Sequence, residues 1–92
     1  MHPKISAAIG ALLDQLSALG VEFGGTAYCE DSFGDFCVGC TLGGKQFRLF
    51  RDRGQYMIDG EMDELKRQGL WRTFDSVEEY SAAVVKYAKP VA

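Results

Sequence analysis

Histidine is almost missing from this chain: one occurs, His2, close to the start. A Ser-His-Asp or Cys-His couple would have to be built through that residue, which argues against nucleophilic catalysis. Cysteine is sparse and odd in number, at three. An odd count cannot close a disulfide framework, and small secreted folds usually carry about four or more, so the cytoplasm is the expected compartment. Basic residues are outnumbered, ten against thirteen acids, for a net charge of −3. That is the wrong sign for a protein that neutralises phosphates, and nucleic acid is not an expected partner. No apolar run reaches the roughly 18 to 20 residues of a membrane span. Ile5 to Leu13, preceded by Lys4, imitates a signal peptide, but Asp14 and Gln15 end the run and no clean small-x-small cleavage pattern follows. A soluble protein with no membrane partner is expected. Phosphate-binding loops are missing too: Gly24-Gly25 and Gly43-Gly44 lack the Lys and Ser/Thr of such a loop and read as turns between strands.

What is present is an ordinary globular composition, 47% apolar and 25% charged, which excludes disorder and collagen-like or coiled-coil repeats. With no linker or internal repeat, residues 1–92 form a single domain with a small core. Ile5, Ala8, Ile9, Leu12, Leu13, Leu16 and Leu19 recur at three- and four-residue steps, which predicts a helix from Pro3 to Leu19 closed by Gly20. From Val21 the period changes to two. Val21 to Glu30 is a first strand with a bulge or bend at Gly24-Gly25, and residues 31–35 form a turn. In the second strand Phe36, Val38, Cys40 and Leu42 make a large apolar face, and Cys37, Gly39 and Thr41 a small-residue face. Gly43-Gly44 suits a two-residue hairpin into a strand Lys45 to Arg51. Asp52-Arg53-Gly54 turns the chain into a fourth strand, Gln55 to Asp59. Glu61 to Gln68 reads as an irregular link or a single helical turn. Ser76-Val77-Glu78-Glu79 is a capping box that starts a helix with Val77, Tyr80, Val84 and Tyr87 on its buried side and Pro90 as its stop. The predicted class is α+β: a four-stranded antiparallel meander flanked by N- and C-terminal helices packed on one face, α-β-β-β-β-α.

Cys37-Val38-Gly39-Cys40 has the C-x-x-C spacing of zinc and redox sites. On a strand, however, the two thiols point to opposite faces and cannot share a metal or a disulfide unless the chain bends at Gly39. Asp59, Glu61, Asp63 and Glu64 hold carboxylates that could pair for acid–base work, but carboxylates grouped in a turn are ordinarily hydrated and ionised. Arg48 and Arg51, interleaved with Phe47, Leu49 and Phe50, could stack on bases, but the net acidity opposes it. Trp71 is expected to pack under the second helix. No catalytic residue, metal or cofactor is therefore expected.

Arg51-Asp52-Arg53-Gly54-Gln55-Tyr56 on a hairpin, followed by Gly69-Leu70-Trp71-Arg72 and Phe74-Asp75-Ser76-Val77-Glu78-Glu79-Tyr80, resembles small immunity proteins of bacterial polymorphic toxin systems over the C-terminal half. The resemblance implies a compact, non-catalytic cytoplasmic protein that covers the active or substrate-binding surface of a cognate toxin or effector. The charge pattern complements this expectation. Glu30, Asp31 and Asp35 at one turn, and Asp59, Glu61, Asp63 and Glu64 at another, are candidate partner-binding residues for a basic cleft. The alternative is a small-molecule or enzyme-accessory domain with its site near Cys37, Gly39 and Thr41. A deep apolar pocket would favour that alternative, and a shallow acidic surface the inhibitor.

Overall fold

The computed structural model describes residues 2–29 and 34–89. Glu30, Asp31, the first part of the expected turn and Pro90 lie outside the described residues. The elements run α1 (Pro3–Ala18), β1 (Glu22–Cys29), β2 (Asp35–Leu42), β3 (Lys45–Asp52), β4 (Gln55–Asp59), α2 (Met62–Arg67) and α3 (Val77–Ala88). The sheet has four antiparallel strands in the order β1-β2-β3-β4.

His2 caps α1, its Nδ1 accepting from the Lys4 N–H at 3.1 Å, and Pro3 follows where no donor is needed. At the other end Gly20 takes φ +96°; the Val21 N–H donates to Leu16 O and the Gly20 N–H to Ser17 O, both at 3.0 Å. This pair of bonds satisfies carbonyls that the last turn leaves open. The helix is distorted at Ile9 (φ −131°), next to Gly10.

Strand alternation sorts the side chains as the sequence requires. Val38, Leu49 and Ile58 are fully buried and lie side by side in register across β2, β3 and β4. α1 and α3 pack on this face and against each other. Ile5, Ile9, Leu12 and Leu16 come from α1, and Tyr80, Val84 and Tyr87 from α3. Gly24 and Gly25 form the bulge, between register pairs Phe23↔Cys40 and Thr26↔Val38. A Cβ on Gly39 would stand 3.4 Å from Gly25 O, so the bulged backbone lies directly against it.

Three local readings differ from the structure. Between Glu61 and Gln68 runs a helix of six residues, longer than the single helical turn that is one of the two expectations and excluding the irregular link that is the other. Leu65 and Leu70 bury its inner side, acids begin it, Lys66 and Arg67 end it, and Gly69 (φ +71°) closes it as Gly20 closes α1. Trp71 is 39% exposed and does not sit under α3, because Leu70 and Phe74 fill the buried positions on either side of it. The capping box of α3 is half formed. Ser76 Oγ accepts from the Glu79 N–H at 3.3 Å, but it donates to Glu78 Oε2 at 2.9 Å, while the Glu79 carboxylate lies 3.9 Å from Arg72.

Candidate functional site

Both long helices cover one side of the sheet, so the other side carries the side chains that no element of the described residues covers. Register defines its rows. Ala27, Cys37, Phe50 and Met57 lie opposite one another in succession from β1 to β4 and make an apolar bar across the sheet. Towards the β2–β3 hairpin the next row is Gly39, Arg48 and Asp59, with the bulge glycines beside Gly39. On the other flank stand Cys29, Asp35, Asp52 and Gln55. The apolar bar is thus bordered by carboxylates on both sides.

Two open recesses follow from this relief. One, of about 670 Å³, lies over the bar between Ala27, Cys37, Phe50, Asp35 and Asp59. The other, of about 880 Å³, occurs where Gly24, Gly39 and Gly44 supply no side chains; Thr41, Gln46 and Glu61 are on its wall. Arg48 and Asp59 border both. Their guanidinium and carboxylate meet at 2.6 Å, directly opposite in the β3–β4 register. The pair is well exposed and contributes little to stability, so both groups are accessible to a partner.

The sequence-predicted acids divide accordingly. Asp35 and Asp59 share the open face, at opposite borders of the bar. Asp35 Oδ1 accepts from the Arg53 N–H at 3.0 Å, in a β3–β4 turn where Arg53 (φ +53°) and Gly54 (φ +81°) both take left-handed conformations. Glu61 and Asp63 are exposed on α2 and just before it. Glu64 is engaged inside the molecule: its Oε1 accepts from Lys45 Nζ at 2.8 Å and from Gln68 Nε2 at 3.1 Å. Lys45 also donates to Tyr87 O at 2.7 Å and stands 3.8 Å over the Tyr87 ring. The Glu61 N–H donates to Tyr87 Oη at 2.8 Å, and burial pushes that phenol above its usual range. Glu64 therefore fastens α2 to the hairpin and α3.

Cys37 and Cys40 point to opposite faces, as strand geometry dictates: Cys37 sits half-buried on the open face and Cys40 is buried in the core. Burial, with Cys37 nearby as a lesser cause, pushes the Cys40 thiol up to about 12. Among the described residues no three His, Cys, Asp or Glu side chains converge as metal ligands, and none of their helices is long and apolar enough to cross a membrane.

Arg48, Phe50 and Met57 are the residues of this face that acid counting passes over. The adjacent apolar pair Leu49-Phe50 is the signal, since two neighbours on one strand cannot both face the core. No protein-family model, curated protein or solved structure matches the chain.

Proposed function

We propose that this protein is a non-catalytic binding domain of the immunity type, which neutralises a cognate bacterial toxin or effector by seating the uncovered sheet face on its active or substrate-binding surface. One observation carries the reading: an apolar bar, Ala27-Cys37-Phe50-Met57, bordered by Asp35 and Asp52 on one side and Asp59 on the other, on a face that no described element covers. An apolar centre within a charged rim is the anatomy of a protein interface. Three carboxylates against one arginine bordering that bar favour a basic partner, and complementary charge speeds association and suppresses wrong partners. The recesses are open and partly polar, which fits a protein surface better than a small-molecule site.

The test is to co-purify the protein with the products of the genes flanking its own, and to repeat the experiment with Phe50→Arg. A stoichiometric complex with one neighbour that is inhibited while bound, and lost in the variant, is the expected result. If neither neighbour binds, or if Phe50→Arg binds and inhibits as well as the wild type, the reading fails.

A further inference from the structure

The recess of about 880 Å³ beside the β2–β3 hairpin is lined by two cations, Lys45 and Arg48, and three carboxylates, Asp59, Glu61 and Glu64. Two pairs cancel within it. Lys45 and Glu64 are held together at 2.8 Å, and Lys45 is fastened to α3 as well, so neither charge is offered to a partner. Arg48 and Asp59 meet through one end-on bond, Nη2 to Oδ2, with side chains 63% and 35% exposed. Among the described residues nothing bonds to Asp59 Oδ1, and no cation pairs with Glu61, which is exposed on the wall. The recess therefore offers one uncompensated carboxylate and, two residues away, a second carboxylate with an oxygen to spare.

The floor of the recess is backbone. Gly24, Gly39 and Gly44 place no side chain there, and a Cβ on Gly39 would stand 3.4 Å from Gly25 O and 3.6 Å from Gly25 N. The bulge thus lays a bare peptide group along the recess. Gly39 pairs in register with Arg48, and Arg48 with Asp59, which sets this peptide surface and the Asp59 carboxylate in one row across the sheet. An ammonium is a compact, strongly hydrated point charge that gains nothing from a flat floor. A guanidinium is planar, weakly hydrated and forked, so it lies along a peptide plane and donates to two acceptors at once. The chemistry of the recess favours arginine over lysine.

We infer that this recess is an arginine subsite: it receives one arginine side chain of a basic protein partner, held by Asp59 and Glu61 over the glycine floor. The exposed Arg48–Asp59 pair contributes little to stability, so Arg48 gives way at small cost and Asp59 keeps a cationic partner. Charge fixes the occupant. A neutral or acidic side chain would cover Glu61 without pairing it, and a carboxylate shut away from water unpaired is costly. The inference deepens the binding reading above and rests on its basic partner: it names the side chain that the partner presents and the two carboxylates that select it.

The experiment is an NMR titration of the isotope-labelled full chain with acetyl-Gly-Arg-Gly-amide, repeated with lysine and with citrulline in place of the arginine. The amide signals of Gly24, Gly39 and Gly44 should shift saturably with the arginine peptide, respond several-fold more weakly to lysine, and stay still with citrulline, which keeps the shape and loses the charge. Asp59→Asn and Glu61→Gln should each weaken the arginine peptide several-fold. Glu61 makes no side-chain cap bond to α2, so its variant tests the carboxylate without loosening the helix. Asp14→Asn removes the same charge from the exposed side of α1 and should leave binding unchanged. The inference is overturned if no saturable shift arises up to tens of millimolar peptide, if lysine or citrulline does as well as arginine, or if the shifts centre on the apolar bar. It is equally overturned if Asp14→Asn weakens binding as much as Glu61→Gln. No toxin enters this test, so its failure is distinct from that of the proposed function. A complex with a neighbouring gene product but no arginine binding removes the subsite alone, whereas arginine binding without such a complex removes the immunity reading and keeps the subsite.

Discussion

Lys45 Nζ and Glu64 Oε1 lie 2.8 Å apart with side chains only 25% and 18% exposed, and the same ammonium also donates to Tyr87 O. Three segments distant in sequence, the β2–β3 hairpin, α2 and α3, thus meet at one charge. Lys45→Ala leaves the Glu64 carboxylate half-buried with Gln68 as its remaining partner, and should lower stability by about 2 kcal/mol in urea unfolding. An unchanged midpoint would show that water replaces the ammonium without loss.

Gly60 stands beside this joint. A Cβ there would fall 2.6 Å from Tyr87 Oη and 3.1 Å from Phe47 Cβ. Gly60→Ala should therefore cost about 1–3 kcal/mol by forcing core rings aside. Gly10→Ala is the contrasting substitution: nothing lies within 4 Å of the added methyl, and a helical glycine replaced by alanine should gain about 0.5–1 kcal/mol. Thermal unfolding of the two variants should shift in opposite directions.

The cysteines should label in order of exposure: Cys29 first, then Cys37, with Cys40 protected until the chain unfolds. Linkage follows from the same burial. The Cys40 thiol rises from 9.0 to about 12 on folding, so its protonated form is favoured in the native state and its contribution is complete below pH 9. That contribution is lost progressively as pH climbs from 9 towards 12, and burial of the Tyr80 phenol acts in the same direction. Stability measured against pH should fall on the alkaline side, less steeply in Cys40→Ala once its lower starting stability is subtracted. Equal slopes would exclude Cys40 as a source.

Ser76→Ala removes the acceptor for the Glu79 N–H and should cost about 1 kcal/mol. Glu79→Gln should cost much less, since the Glu79 carboxylate lies near Arg72 at the surface and closes no second bond of the box. Comparable losses would mean that the complete capping box forms in solution.

The long-range architecture was legible because it rests on periodicity and turn chemistry. The apolar stripe of α1, the bulge at Gly24-Gly25, the hairpin at Gly43-Gly44 and the buried side of α3 all follow from local residue choice, and the structure contains each of them. α2 was harder to read because one buried leucine makes no stripe; its stability comes from Leu65, Leu70 and the Lys45–Glu64 contact, and the latter joins residues nineteen positions apart. The candidate face was legible only in part. Acidic clusters are visible in sequence, but whether an acid faces outward or serves a joint depends on tertiary partners, as the difference between Asp59 and Glu64 illustrates. The apolar bar is a property of register across four strands, and no single segment displays it.

The meander order has a kinetic side. Every strand pairs with its neighbour in the chain, so the sheet can zip from turn to turn with short loops to close. The contact of α1 with α3 is different, because it brings the two ends of the described chain together and carries the largest loop-closure cost. A side-chain truncation at Leu12 of α1 or Val84 of α3, both buried in the core, is then expected to quicken unfolding far more than it slows folding. The lifetime of the native protein would be set at the clasp between its first and last helices, and its speed of formation at its hairpins.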